Sequence, residues 1–408
     1  YEALAQMHKE TPEERKAART LQKKLAARSK AEMSRFFAKD ARHELVFYSE
    51  GSGFYKYFKG YIEYILKHSD IDIHYVTSDP DDRIFEIGEP RIKAYYANDK
   101  DLVGLFMKMD ADIFFMTTPD IGKYHLKRSL VRKDVEYIFA DHGMTSLHLM
   151  LREGALDHFD TVFLYGPNHI SEIRQTEFAY DLPQKTLVKT GYALLDELTE
   201  RVAALEQKER ARKKVLIAPS WQKSNLLDLC LDELIEGLSG RDYDIVIRPH
   251  PEFIKRFPHK VKRMEERLGG RLGKDIELET DFSSSESIYT ADIVVTDWST
   301  VAQEYSYTTK RPSLFVNTPM KTVNPNYQNI KAVPLDISLR DEIGVSVDVE
   351  DLGGIGEVCE KLIEGKDAWR EKIAKVVERY IYNVGDGARN GGEYIIDRIN
   401  YKRGGRPS

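Results

Sequence analysis

Ile293-Val294-Val295-Thr296-Asp297-Trp298-Ser299-Thr300 is the stretch whose reading decides the fold. A β-prone apolar run ends in a polar turn, and Val301-Ala302-Gln303-Glu304 then reads as the start of a helix. Two other stretches share this grammar. Tyr137-Ile138-Phe139-Ala140 runs into Asp141-His142-Gly143, and Ile245-Val246-Ile247 runs into Arg248-Pro249-His250-Pro251. In an open parallel sheet, ligands bind in the crevice beyond the carboxyl ends of the strands. Histidine, arginine and hydroxyls at three such ends describe a site for a phosphorylated ligand.

Further strand-like runs alternate with helix-length polar stretches on both sides of these clusters. In the first half they fall at 44–49, 72–77, 92–96, 113–117, 135–140, 161–165 and 187–190. In the second half they fall at 215–219, 245–248, 276–279, 293–296 and 313–316. This is the βαβ rhythm of a doubly wound parallel sheet, and it occurs twice. A charged helical stretch, 194–212, separates the halves and sets the boundary near 195–212. The division expected is a basic helical extension over 1–42, an α/β domain over 43–200 and a second over 205–384. The tail 376–401 reads as helix broken around Gly385-Asp386-Gly387, and its last part, 385–408, is expected to pack back on the first domain. Two doubly wound halves facing a cleft describe the GT-B architecture, an α/β class.

The chain of 408 residues is 41% hydrophobic, enough for two or three sizeable cores. Cys230 and Cys359 form no disulfide or metal framework, which fits a reducing compartment. No apolar run approaches the roughly 18 residues of a membrane span. There is no signal-peptide pattern, and the sequence begins at Tyr1, which leaves room for a further upstream anchor. The net charge of −6 argues against nucleic acid as a partner. Residues 1–42 hold 11 Lys+Arg and 6 Asp+Glu, a net of +5, leaving −11 on the rest. Thr11-Pro12-Glu13-Glu14 is a capping box that opens a helix. That helix reads as a solvated one, or as a basic surface facing an anionic membrane.

Each cluster has its chemistry. Gly143 lets the backbone turn sharply and leaves the His142 imidazole accessible, poised to take a proton from a hydroxyl, with Asp141 to orient it. Arg248 offers a planar fork to phosphate oxygens, His250 a further donor, and Glu252 an acceptor for ribose hydroxyls. The bland alternative for Arg248 is a salt bridge at a sheet edge. Ser299 or Thr300 falls at a helix start, where N–H groups and the helix dipole favour an anion. Ser220 and Lys223, in Ala218-Pro219-Ser220-Trp221-Gln222-Lys223-Ser224, face the same crevice. Gly51-Ser52-Gly53 begins like a dinucleotide fingerprint, but Lys56 stands at the third glycine position, so no NAD site is expected. Ser52 and Gly53 are instead assigned to the acceptor side. Asp79-Pro80-Asp81-Asp82 reads as a solvated turn, and no cluster has metal-ligand spacing.

The ordered set of His142-Gly143, Ala218-Pro219-Ser220-Trp221, Arg248-Pro249-His250-Pro251, Thr296-Asp297-Trp298-Ser299-Thr300 and Arg311-Pro312-Ser313-Leu314-Phe315 resembles the CDP-glycerol glycerophosphotransferase family, the teichoic acid primases and polymerases. The resemblance spans roughly 43–390. It implies a GT-B enzyme that needs no cofactor or metal and moves glycerol phosphate, or a related polyol phosphate, from CDP-glycerol to a hydroxyl of a lipid-linked glycan acceptor, releasing CMP. It implies work at the cytoplasmic face of the cell membrane, as a peripheral protein. By resemblance His142 is the base, Arg248 and His250 bind the donor phosphates, and Asp297, Ser299 and Thr300 close the donor site. The family's His-Gly-Thr-Pro-Leu-Lys becomes His142-Gly143-Met144-Thr145-Ser146-Leu147 here, without the lysine, and His148 follows as a second acceptor-side histidine. Trp298 stands where the family often has tyrosine, and Thr190-Gly191-Tyr192 lacks the Asn-Pro that often follows. The rival readings are a sugar-nucleotide enzyme on the same fold, a glycosyltransferase or UDP-sugar 2-epimerase with Asp141, Asp297 or Glu304 as acid or base, and a non-catalytic nucleotide-binding scaffold.

Overall fold

A computed structural model of the chain describes residues 11–39, 41–205, 211–282 and 284–404. The first ten residues of the basic extension, part of the expected connector (206–210) and the last four residues lie outside it. Thirteen strands are found among the described residues, in two all-parallel sheets.

The first sheet is built from β1 (His43–Ser49), β2 (Ile73–Thr77), β3 (Ile92–Tyr96), β4 (Ala111–Met116), β5 (Glu136–Ala140), β6 (Thr161–Leu164) and β7 (Thr186–Lys189). Their order is β3-β2-β1-β4-β5-β6-β7, so the winding reverses between β1 and β4. The second sheet holds β8 (Lys213–Ile217), β9 (Tyr243–Ile247), β10 (Ile276–Leu278), β11 (Ile293–Thr296), β12 (Ser313–Asn317) and β13 (Gly344–Asp348), in the order β10-β9-β8-β11-β12-β13. Its reversal lies between β8 and β11. The central strands are buried along their whole length, which is why they read as unbroken apolar runs.

Sequence pattern alone overlooked β13. It is a half-exposed edge strand, and a Cβ on Gly344 would meet the Ser313 carbonyl oxygen at 1.9 Å. The approach of β13 to β12 therefore rests on a glycine, a residue that argues against a strand when read locally.

The halves share an apolar interface. Met144, Tyr165, Leu195 and Leu198 from the first pack with Ala302, Tyr305, Leu335 and Ile381 from the second. Helix Ala193–Ala204, expected as a connector, is part of this interface. The returning chain is pinned as well. Tyr382 N–H donates to the Tyr165 carbonyl at 2.7 Å, and the Asp196 carboxylate accepts the N–H groups of Gly385 and Gly387 at 2.7 and 2.8 Å. Gly191 has φ +87°, and a Cβ there would lie 2.3 Å from the Tyr382 oxygen, so only glycine fits. Helix Gly387–Gly404 then packs on helix Tyr55–His68 of the first half, after a break at 381–386 that follows helix Lys366–Tyr380.

Helix Pro12–Phe36 starts with the capping box: Glu14 N–H donates to Thr11 Oγ1 at 3.2 Å, and Thr11 N–H to Glu14 Oε2 at 2.6 Å. Residues 11–24 are exposed throughout. Only the last turns dock, through Ser29, Met33 and Phe36, whose ring stacks on His43 at 4.0 Å.

Candidate active site

The site forms where the carboxyl ends of β5 and β11 meet across the two halves. A Cβ built on Gly143 would stand 3.4 Å from Cγ2 of Thr300, so the His142 turn abuts the helix start that follows β11. His142 is 44% exposed and lies between the rings of Phe54 and Tyr57, at centroid distances of 5.6 and 5.9 Å. Asp141 is buried and accepts the Thr145 hydroxyl at 3.0 Å. Its other oxygen is 3.8 Å from His142 Nδ1, too long for a hydrogen bond. Burial holds the Asp141 carboxyl above the usual range.

On the second half, Asp297 organises the winding reversal. Its buried carboxylate accepts Ser220 N–H at 2.7 Å, the Ser220 hydroxyl at 3.2 Å, Leu226 N–H at 3.2 Å and Trp298 N–H at 2.7 Å. It thereby locks the turn after β8 to the turn after β11. With its oxygens so engaged, Asp297 serves as scaffold rather than as acid or base. Thr300 is the N-cap residue of helix Val301–Thr309 and makes no capping hydrogen bond with its side chain, while the Ser299 hydroxyl accepts Val301 N–H at 3.4 Å. This helix start is only loosely satisfied and faces the His142 turn.

His250 Nδ1 accepts the Glu252 N–H at 3.1 Å. That bond assigns the proton of the neutral ring to Nε2, leaving one N–H donor. Burial, with Lys321 nearby, pushes the imidazole down to about 4. His250 therefore donates as a neutral ring.

Arg248 is placed differently from its expected role. Its guanidinium is nearly buried and pairs with Glu279, and it donates to Ser287 Oγ at 3.2 Å and to the Ser284 carbonyl at 2.9 Å. Glu279 follows β10, the neighbour of β9, so the sheet order itself supplies the partner. Glu252 is engaged by Arg256 at 2.8 Å. Lys223 is exposed at the turn after β8. Ser52 donates its N–H to Asp79 at 3.2 Å, and Gly53 is exposed with open space around it. The Asp79–Asp82 turn is thus partly structural, with Asp82 buried and accepting the Thr77 hydroxyl at 2.7 Å.

His148 is corrected as well. It is buried 3.3 Å from Glu172 and lines a cavity with Leu151, Ile173 and Ile330 whose walls include none of the residues above. It offers no exposed imidazole to an acceptor.

Two residues that local reading passed over, Arg340 and Lys321, complete the site together with Glu304. Buried Arg340 donates to the Asp297 carbonyl and to Asn317 Oδ1, both at 2.8 Å, and lies 4.2 Å over the Trp298 ring. Glu304, one turn into its helix, is held above the usual carboxylate range by burial, with Lys56 opposing. Lys321 sits on the loop after β12. Neither Arg340 nor Lys321 carries a local signal, because each is an ordinary charge far from the strand-end clusters. Among the described residues no group of three or more His, Cys, Asp or Glu is placed to hold a metal ion.

Two doubly wound parallel sheets with polar strand ends meeting between them define a protein of the GT-B fold class. Residues 125–329 match the family described as CDP-glycerol:poly(glycerophosphate) glycerophosphotransferase, and the chain belongs to that family. Among solved structures it is similar to the wall teichoic acid polymerase TagF, in a crystal soaked with CDPG, at 15% identity and a TM-score of 0.61, covering 95% of this chain and 98% of that one. A glycosyltransferase from Rickettsia africae matches at 13% identity and a TM-score of 0.54 over 88% and 99% of the two chains. A UDP-N-acetylglucosamine 2-epimerase matches at 12% and 0.54 over 90% and 98%. These likenesses establish the fold. No curated protein sequence matches the chain.

Proposed function

We propose that the enzyme transfers glycerol phosphate from CDP-glycerol to a hydroxyl of a lipid-linked acceptor and releases CMP. The observation that carries this reading is the contact between the His142 turn and the Thr300 helix start, which brings a half-exposed imidazole to an anion-favouring helix end. His142 removes the proton of the acceptor hydroxyl. The oxygen attacks the β-phosphorus, and the bond to the CMP oxygen breaks. Negative charge on the phosphoryl oxygens is met by His250 Nε2–H and by the N–H groups of the helix start. Asp297 and Asp141 are held by structural hydrogen bonds, which argues against the acid–base pair an epimerase would need.

The acceptor places the reaction at the inner membrane face. No described helix is long and apolar enough to cross a membrane. The projecting part of helix Pro12–Phe36, with Arg15, Lys16, Arg19, Lys23 and Lys24, is the contact to anionic lipid. The test supplies CDP-glycerol, CDP-ribitol and UDP-sugars in turn with a lipid-linked disaccharide acceptor, and follows CMP or UDP. CMP release that requires acceptor is expected. Turnover of UDP-sugars alone refutes the reading.

A further inference from the structure

The occupied fork of Arg248 leaves open which cations meet the donor's phosphates. Two lysines answer to the geometry. Lys321 lies on a loop anchored just before it: Trp298 Nε1–H donates to the Thr318 carbonyl at 3.0 Å, and Gln222 Nε2–H to the Pro319 carbonyl at 2.9 Å. Its ammonium stands 5.4 Å from the Trp221 ring centroid, and that ring is 6.5 Å from the His250 ring. Lys56 comes from the other half, on helix Tyr55–His68, and its charge also reaches His250. Among the described residues neither ammonium has a carboxylate within 4.0 Å. The acids that Lys321 senses are Asp297 and Asp336. Asp297 is engaged by the four donors above, and Asp336 accepts Ser146 N–H at 2.8 Å. Cations from opposite halves thus both act on a neutral N–H donor, and the acids they sense, Glu304 for Lys56 and Asp297 and Asp336 for Lys321, form no ion pair with them among the described residues.

We propose that Lys321, assisted across the cleft by Lys56, holds the diphosphate of the nucleotide donor. This assignment rests on the donor site described above. The half-buried Lys321 is pushed below the usual lysine range by burial, a cost that a bound anion relieves. The loop that carries it continues into the first half, where Val323 and Asn324 N–H donate to the Leu149 carbonyl at 3.2 and 3.1 Å and Asn324 Nδ2–H to the His148 carbonyl at 2.9 Å. A diphosphate that orders Lys321 therefore also steadies the segment following His142.

Calorimetric titration with CDP, UDP, cytidine and inorganic pyrophosphate tests this on the full chain. Lys321→Met is expected to weaken CDP binding about tenfold or more and to leave cytidine binding unchanged, and Lys321→Arg to recover most of the loss. Lys56→Met, on an exposed surface, is expected to weaken CDP about threefold and to lessen its salt dependence. Donor KM should rise more than kcat falls in Lys321→Met. Native CDP affinity in both methionine variants overturns the assignment, as does a parent protein that binds none of the diphosphates. A parent that binds UDP and not CDP, with the same lysine dependence, upholds the lysines and refutes the CDP-glycerol reading instead. Should Lys321→Met not fold, Lys321→Gln takes its place, and native CDP affinity and salt dependence in it and in Lys56→Met overturn the assignment.

Discussion

Asp297→Ala probes the joint that builds the donor side. The carboxylate is 1% exposed and accepts three backbone N–H groups and one hydroxyl. Truncation leaves those donors unpaired. Each costs about 1–3 kcal/mol when buried without a partner, and water entering the vacated space recovers part of it, so a net loss of about 3–5 kcal/mol is expected. With an m value near 2 kcal/mol/M, the urea midpoint of the second half should fall by about 2 M. The three tryptophans, Trp221, Trp298 and Trp369, all lie in that half, so intrinsic fluorescence reports its unfolding selectively. Asp297→Asn should lose somewhat less, since one oxygen remains while an NH2 group confronts an N–H. CDP affinity should fall in both variants, because the turns after β8 and β11 lose their common anchor. A midpoint and CDP affinity equal to the parent's would refute the role given to this carboxylate.

His142→Ala should lower turnover by about 10²-fold or more while CDP binding stays near native, and near-normal turnover removes His142 as the base. Arg248→Ala leaves Glu279 without its partner and should cost about 3 kcal/mol of stability with little change in CDP affinity. A large affinity loss at the parent's melting temperature would instead put the guanidinium on the donor. His74, His169 and His250 are held neutral, their imidazoles pushed down to about 3, about 4 and about 4 by burial. Folded values below the unfolded 6.5 mean that the unfolded chain binds more protons. This stability is full above about pH 6.5 and is lost as pH falls toward 4, and for fully buried His169 it amounts to about 3 kcal/mol. Melting temperature should fall steadily from pH 6.5 to 4.5, less steeply in His169→Gln, and a flat profile refutes the argument. Deleting residues 1–24 keeps Met33 and Phe36 in place and should abolish salt-sensitive binding to anionic liposomes, measured by sedimentation; unchanged binding makes the projecting helix a solvated one.

The sequence by itself determined the alternation of strand and helix, the two-halved organisation, the capping box at Thr11 and the position of each chemical cluster at a strand end. These are local properties: an apolar run, a glycine or proline that turns the chain, a hydroxyl before a helix. The tertiary structure decided who meets whom. Sheet order sets β10 beside β9, and so gives Arg248 to Glu279 rather than leaving its fork open. Packing of the halves brings Gly143 to Thr300, while packing within them buries His148 against Glu172 and carries Lys321 over Trp221 toward His250. The edge strand β13 exists because Gly344 lets two backbones close up. A charged side chain far along the sequence carries no local mark of its partner. Its role follows from the desolvation and pairing that only the assembled fold imposes.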